Sequence, residues 1–175
     1  MESPNFCRVG YSLTDIMVSD EGIKRAENRL ESAKAKFDTA GSKYGGDANQ
    51  HPGSVLTHSQ RCIELCAKAI FLLMEVEPPA KHVIELDSQP SRNVLNAVFT
   101  EFGEYHAGKT ARLIFLCELY GSAYPISEYG FDVTKGAMEA DEFLDRMEGD
   151  QAYNHADVAI DLAEDIINKA QFDPV

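Results

Sequence analysis

His58, Cys62 and Cys66 stand at i, i+4 and i+8 of one segment. A helix there would place an imidazole and two thiols on one face, the ligand types that zinc prefers. They rise about 12 Å from first to last on a helix, too far for one ion to touch all three. We read them as a histidine of the first turn and two core cysteines, with no metal site. The cations point to different chemistry. Arg61 and Lys68 lie seven apart on one edge of the same segment, and Lys81 and His82 sit in a short turn beyond it. Lys109 and Arg112 lie three apart, with His106 one turn earlier. Guanidinium, ammonium and imidazole groups near helix ends suit a phosphate, and Tyr120, Tyr124 or Tyr129 would stack on a base. Arg61, Lys68, Lys81, His82, Lys109, Arg112, Tyr124 and Tyr129 are therefore the candidate ligand-binding residues. No Gly-rich loop leads into Lys-Ser or Lys-Thr, no His-x-x-x-His pair occurs and no nucleophile elbow is present, so no cofactor is expected.

The elements that would position these groups read as helices. Ser54–Pro79 is the longest apolar-periodic stretch: Cys62, Cys66, Ala69 and Leu73 recur at helical spacing, and Ile63, Ala67, Ile70 and Met74 repeat it one residue on. So wide a stripe predicts a central helix buried among others. Thr57 and Gln60 form a capping-box pair that predicts its start near His58, and Pro78 and Pro79 predict its end. Before it, Ser19 is an N-cap candidate for a long helix whose narrow seam is Ile23, Ala26, Leu30, Ala33, Phe37, Ala40 and Tyr44. That seam suits antiparallel packing on the central helix or a coiled-coil-like dimer contact. Gly41 to Ser54 reads as a linker.

Further on, Asp87 or Ser88 would cap a helix from about Ser91 to Phe102 that buries Val94, Leu95, Val98, Phe99 and Phe102. Gly103 breaks it. The next helix, Glu104 to Tyr120, carries Ala107, Ala111, Ile114, Phe115, Cys117 and Leu119, with Gly121 as C-cap. Met138 to Met147 reads as a short acidic helix, and Asn154 opens the last one. No β-branched run alternates long enough to predict a strand. The fold class is all-α, an up-and-down antiparallel bundle of about five or six helices. Residues 1–18 form an irregular lead-in and 19–175 a single domain.

The chain carries a net charge of −13, with −3 in residues 1–125 and −10 in residues 126–175. An acidic C-terminal part argues against broad, sequence-independent nucleic-acid binding, while leaving room for a local basic site in the first part. No apolar run approaches the length that crosses a bilayer. MESPNFCRVG lacks a basic region followed by an apolar core, so we expect a cytoplasmic protein with four reduced cysteines.

The run Arg61-Cys-Ile-Glu-Leu-Cys-Ala-Lys-Ala-Ile-Phe-Leu-Leu-Met resembles the second-helix signature of HEPN domains, and Pro78-Pro79-Ala-Lys-His-Val-Ile is similar to the turn that follows it there. Tyr124-Pro125, Glu128-Tyr129-Gly130 and the last helix, with Ala159 and the run Ala163-Glu164-Asp165-Ile166-Ile167, resemble the family's C-terminal portion. The resemblance implies a helical bundle, a homodimer, nucleotide or RNA binding and a small nucleotidyltransferase as partner. It also implies, for one branch, a metal-independent ribonuclease of toxin–antitoxin systems, in which an Arg is followed by His after four to six residues. None of the arginines here has a His at that spacing. The function expected is therefore a binding module without chemistry. The alternative is a ribonuclease using a rearranged pair, Arg146 with His155 or Arg112 with His106.

Overall fold

The computed structural model describes residues 18–44, 51–123, 131–133, 136–138 and 144–172. Five helices build the fold among these residues: α1 (Asp20–Tyr44), α2 (Pro52–Leu73), α3 (Gln89–Phe102), α4 (Glu104–Gly121) and α5 (Arg146–Phe172). The fold is all-α, as the periodicity predicts. A small antiparallel ribbon joins the last two helices, β1 (Phe131–Val133) and β2 (Gly136–Met138), with Asp132 opposite Ala137. The sequence offers no alternation to announce strands three residues long.

α2 is the central rod. Sixteen of its 22 residues are buried, so it needs neighbours on several sides, and it packs against α1, α4 and α5. Gly22 at the start of α1 lies against the carbonyls of Leu72 and Leu73 at the end of α2, so these two helices run antiparallel. The α1 seam is spent on this packing, with Ala26, Leu30, Ala33 and Ala40 buried inside the chain. Phe37 stacks on Tyr153 of α5 at 4.5 Å. α2 and α5 run parallel, since Gly149 lies beside Pro52 and Cys62 beside Ala156. The inward stripe of α5, Ala152, Ala156, Ala159 and Ala163, is made of small side chains, which lets its backbone approach α2 closely. α3 packs on α4, and Gly103 between them holds φ +82, a left-handed conformation that glycine adopts without steric penalty.

Several boundaries differ from the sequence expectation, each for a physical reason. α1 continues through Gly41, where the ring of Tyr153 fills the space that a side chain would take. α2 starts at Pro52 and not near His58, because proline at the first helical position is pre-set for a helix and needs no N–H partner. Thr57 is therefore interior to the helix, and its buried hydroxyl has no hydrogen-bond partner among the described residues. The same helix ends at Leu73, before the prolines. Val76 N–H donates to the Phe71 carbonyl at 2.9 Å and Glu75 N–H to that of Leu72 at 3.2 Å, while Glu75 takes φ 54. This is a Schellman closure with glutamate in place of glycine. α3 begins at Gln89 behind the N-cap Ser88, whose hydroxyl accepts from Ser91 N–H at 3.4 Å.

α5 starts at Arg146, well before Asn154; of the expected short helix, Met138 ends the ribbon, Arg146 and Met147 belong to α5, and residues 139–143 lie outside the described residues. The first turn of α5 is closed by Asp145 and Glu148. Asp145 Oδ1 accepts from Met147 N–H at 2.7 Å, and Glu148 Oε2 accepts from Asp145 N–H at 2.7 Å, a reciprocal capping box. Phe99, Phe115 and Leu119, expected in the core, are about half exposed, at 56, 52 and 49%. They lie on solvent-facing sides of α3 and α4.

Candidate functional site

Glu64 is the one acid in α2. It stands between Arg61 and Lys68 at i−3 and i+4, so all three share a strip of the helix. The Glu64 side chain is only 3% exposed. Arg61 Nη1 lies 2.7 Å from Oε2 and Lys68 Nζ 2.8 Å from Oε1. The segment after α2 folds back over this strip and adds His82, whose Nδ1 is 3.1 Å from Oε2. Three bases thus converge on one buried carboxylate.

The returning segment is fastened at several points. Gln60 Nε2 donates to the His82 carbonyl at 3.5 Å, the Cys117 thiol donates to the same carbonyl at 3.7 Å, and Leu86 N–H donates to the Glu118 carboxylate at 2.8 Å. Gly121 is a required glycine, because a Cβ there would meet Val83 Cγ2 at 2.8 Å. His82 Nδ1 also meets Arg61 Nη1. Arginine only donates, so against Arg61 this ring nitrogen must accept, whereas against Glu64 it must donate. It cannot do both at once, and the ring proton sits on Nε2 whenever Arg61 is the partner.

Electrostatically the site holds together as a charged cluster. Burial opposes ionisation of Glu64, but the hydrogen bonds and charges of Lys68 and then Arg61 outweigh it and hold the carboxyl below its ordinary range. Lys68 is mostly covered, whereas Arg61 and His82 keep 34 and 42% of their side-chain surface in water. The cluster therefore opens to solvent along the guanidinium and imidazole. Lys81, next to His82, is exposed.

The other sequence candidates go elsewhere. Lys109 Nζ lies 2.7 Å from Asp165 of α5 and 4.2 Å from the centre of the Tyr105 ring. His106 Nε2 lies 3.4 Å from the same Asp165, with Nδ1 3.1 Å from the Phe102 carbonyl. Lys109 and His106 fasten α4 to α5 and do not join Glu64. Arg112 is exposed on α4. It lies about 9 Å along the axis and a third of a turn from His106, so the pair does not meet within one chain. Arg146 pairs with Asp150 at 3.5 Å and stands about 13 Å along α5 from His155, so that pair does not meet within one chain either. His155 Nδ1 is 2.7 Å from the Tyr120 hydroxyl, which places Tyr120 in the α4–α5 interface and not on a surface where a base would stack. Tyr124 and Tyr129 lie outside the described residues.

Cys62 and Cys66 are fully buried, and Cys62 Sγ lies 3.9 Å from the Ala156 carbonyl. The hydrogen bond with Cys62, and then burial, push the Cys66 thiol well up. Burial pushes Cys117 up to about 12. Among the described residues no three His, Cys, Asp or Glu side chains are grouped to hold a metal ion, and no helix is long and apolar enough to cross a membrane. Comparison with protein-family models, with curated proteins and with solved structures finds no match to this chain.

Proposed function

We propose that the chain is a non-catalytic, HEPN-like binding module that takes a phosphate-bearing ligand, a nucleotide or an RNA end, on the Arg61–Lys68–His82 edge of Glu64. The observation that carries this reading is the gathering of two permanent cations and an imidazole on a single buried carboxylate, with the guanidinium and imidazole open to water. Glu64 fixes the side chains of Arg61 and Lys68 before any ligand arrives. An anion meeting pre-ordered donors loses less entropy on binding than one that must order two long side chains. The two Arg/His pairs weighed for a ribonuclease, Arg146 with His155 and Arg112 with His106, do not meet within one chain, which favours the binding reading over that alternative. The homodimer and the nucleotidyltransferase partner implied by the resemblance belong to the same reading.

Melting the protein with ATP, or with inorganic phosphate, tests it. A ligand selective for the folded state raises the melting temperature as its concentration passes Kd. Wild type is expected to show the rise and Arg61→Gln to lose it. Absence of any rise with either ligand in wild type would remove the reading.

A further inference from the structure

The exposed surface of α1 is sorted by charge. Arg25, Arg29, Ser32, Lys36, Thr39 and Lys43 follow one another at spacings of four and three, so they form a single strip along the helix. Four are cations, and one acid, Glu21, touches the strip at its N-terminal end. The remaining acids of α1, Asp20, Glu27, Glu31 and Asp38, fall on the opposite side, where Lys34 bridges Glu31 and Glu164 of α5, each at 3.0 Å. Arg25, Arg29, Lys36 and Lys43 have no ion-pair partner among the described residues. Arg25 and Arg29 are like charges one turn apart, an arrangement that costs an isolated helix a few tenths of a kcal/mol. In a chain of net charge −13, such a strip is not the outcome of overall composition.

The strip deepens into a groove where it meets the end of α2. Arg25, Asn28, Arg29, Ser32 and Leu72 line a cleft of about 380 Å³. Leu72 shares its sector of α2 with Arg61 and Lys68, so the strip and the edge of the Glu64 cluster border the same side of the bundle.

We infer that this strip is a track for the sugar-phosphate backbone of a single strand of nucleic acid. The inference takes the ligand's phosphate chemistry from the function proposed above, and its place from α1 alone. From Arg25 to Lys43 the track runs about 27 Å. A phosphodiester strand carries its charges along one line, which suits one line of cations. Paired guanidiniums match phosphate oxygens in both charge and donor geometry. Asn28 and Leu72 add an amide and an apolar wall for a sugar or base. A duplex would bring its second line of phosphates against the acidic side of α1 and Glu164 of α5 beside it, where repulsion opposes it.

Fluorescence anisotropy of a labelled oligouridine, titrated with the full chain over a series of salt concentrations, tests the track. Single-strand affinity falls with salt by about 0.7 log unit per log unit for each phosphate neutralised. Arg25→Gln/Arg29→Gln and Lys36→Gln/Lys43→Gln are each expected to flatten the slope by about 1.4 and to weaken binding about tenfold. Lys24→Gln and Arg92→Gln, exposed but off the track, should change neither. Arg61→Gln should abolish the ATP-induced rise in melting temperature while the two double variants keep it, which separates failure of the track from failure of the Glu64 site. The track is overturned if wild type does not bind oligouridine, or if both double variants bind with wild-type slope. It is also overturned if duplex RNA or polyglutamate competes as well as unlabelled oligouridine, the latter marking the strip as a surface for an acidic protein.

Discussion

Glu64 and Lys68 face each other across one turn of α2, carboxylate to ammonium at 2.8 Å, with the carboxylate 3% exposed. Removing the charge with Glu64→Gln leaves the largely covered Lys68, and beside it the part-exposed Arg61, without their buried counter-ion. The expected loss is about 3 kcal/mol at neutral pH, as for other broken buried pairs, seen as a drop of roughly 10 °C in Tm. The sign with pH follows from the lowered carboxyl. The unfolded chain binds this proton at the ordinary glutamate value and the folded chain only at lower pH, so the contribution is complete above that ordinary value. It is lost as pH falls through the lower, folded value. Denaturant melts from pH 7 into the acid range should show the wild type losing stability below about pH 4. Glu64→Gln should lack that part of the loss.

Glu75 closes α2 at φ 54, a conformation that costs a side-chain-bearing residue about 1 kcal/mol or more. Its carboxylate accepts from the hydroxyl of Ser19, the residue that caps α1 by accepting from Gly22 N–H at 3.0 Å. Glu75→Gly relieves the backbone and gives up an exposed hydrogen bond of smaller worth. A rise in Tm of about 2 °C is expected. Ser19→Ala loses both the cap and the tie to Glu75, and should fall by about 1 kcal/mol. A lower Tm for Glu75→Gly would show that the Ser19 tie outweighs the strain.

What the residues announce by periodicity, the structure keeps: the central helix, the α1 seam, the break at Gly103 and the caps at Ser19 and Ser88 all follow from local pattern. The misplaced boundaries come from competing local signals. Thr57 and Gln60 imitate a capping box inside a helix that Pro52 has already begun, and Asp145 with Glu148 form the working box, with its cap nine residues before Asn154. At the candidate site the edge holding Arg61 and Lys68 was legible, and so was the nearness of His82 in sequence. The centre was not, although a single acid at i+3 from an Arg and i−4 from a Lys, in an otherwise apolar helix, is the signal for it. That His106 and Lys109 go to Asp165 depends on how α4 meets α5, which no local spacing reports.

The buried thiols make a chemical prediction. With Cys117 pushed up to about 12 and Cys66 well above its ordinary value, almost no thiolate exists at neutral pH, and none of the three buried sulfurs meets solvent. In a Cys7→Ser background, a thiol-reactive chromogenic disulfide should label Cys62, Cys66 and Cys117 only as fast as the fold opens. All three should react at once in denaturant. Rapid labelling of any of them in the folded protein would show an opening of α2 or α4 that the packing does not provide.

The same packing bears on cleavage of RNA. His155 is bound through Nδ1 to the Tyr120 hydroxyl, and His106 is held between Asp165 and the Phe102 carbonyl, so each imidazole already serves to join helices. Neither lies beside its nearest arginine candidate within the chain. His155→Ala and His106→Ala should therefore cost stability, about 1 kcal/mol for each lost hydrogen bond, and leave no change in metal-free RNA cleavage relative to wild type. The assay is incubation of a long single-stranded RNA with each protein in chelator, followed by gel analysis. Cleavage by wild type that vanishes in His155→Ala and survives in Tyr120→Phe would assign chemistry to the imidazole and replace the binding-module reading with a ribonuclease.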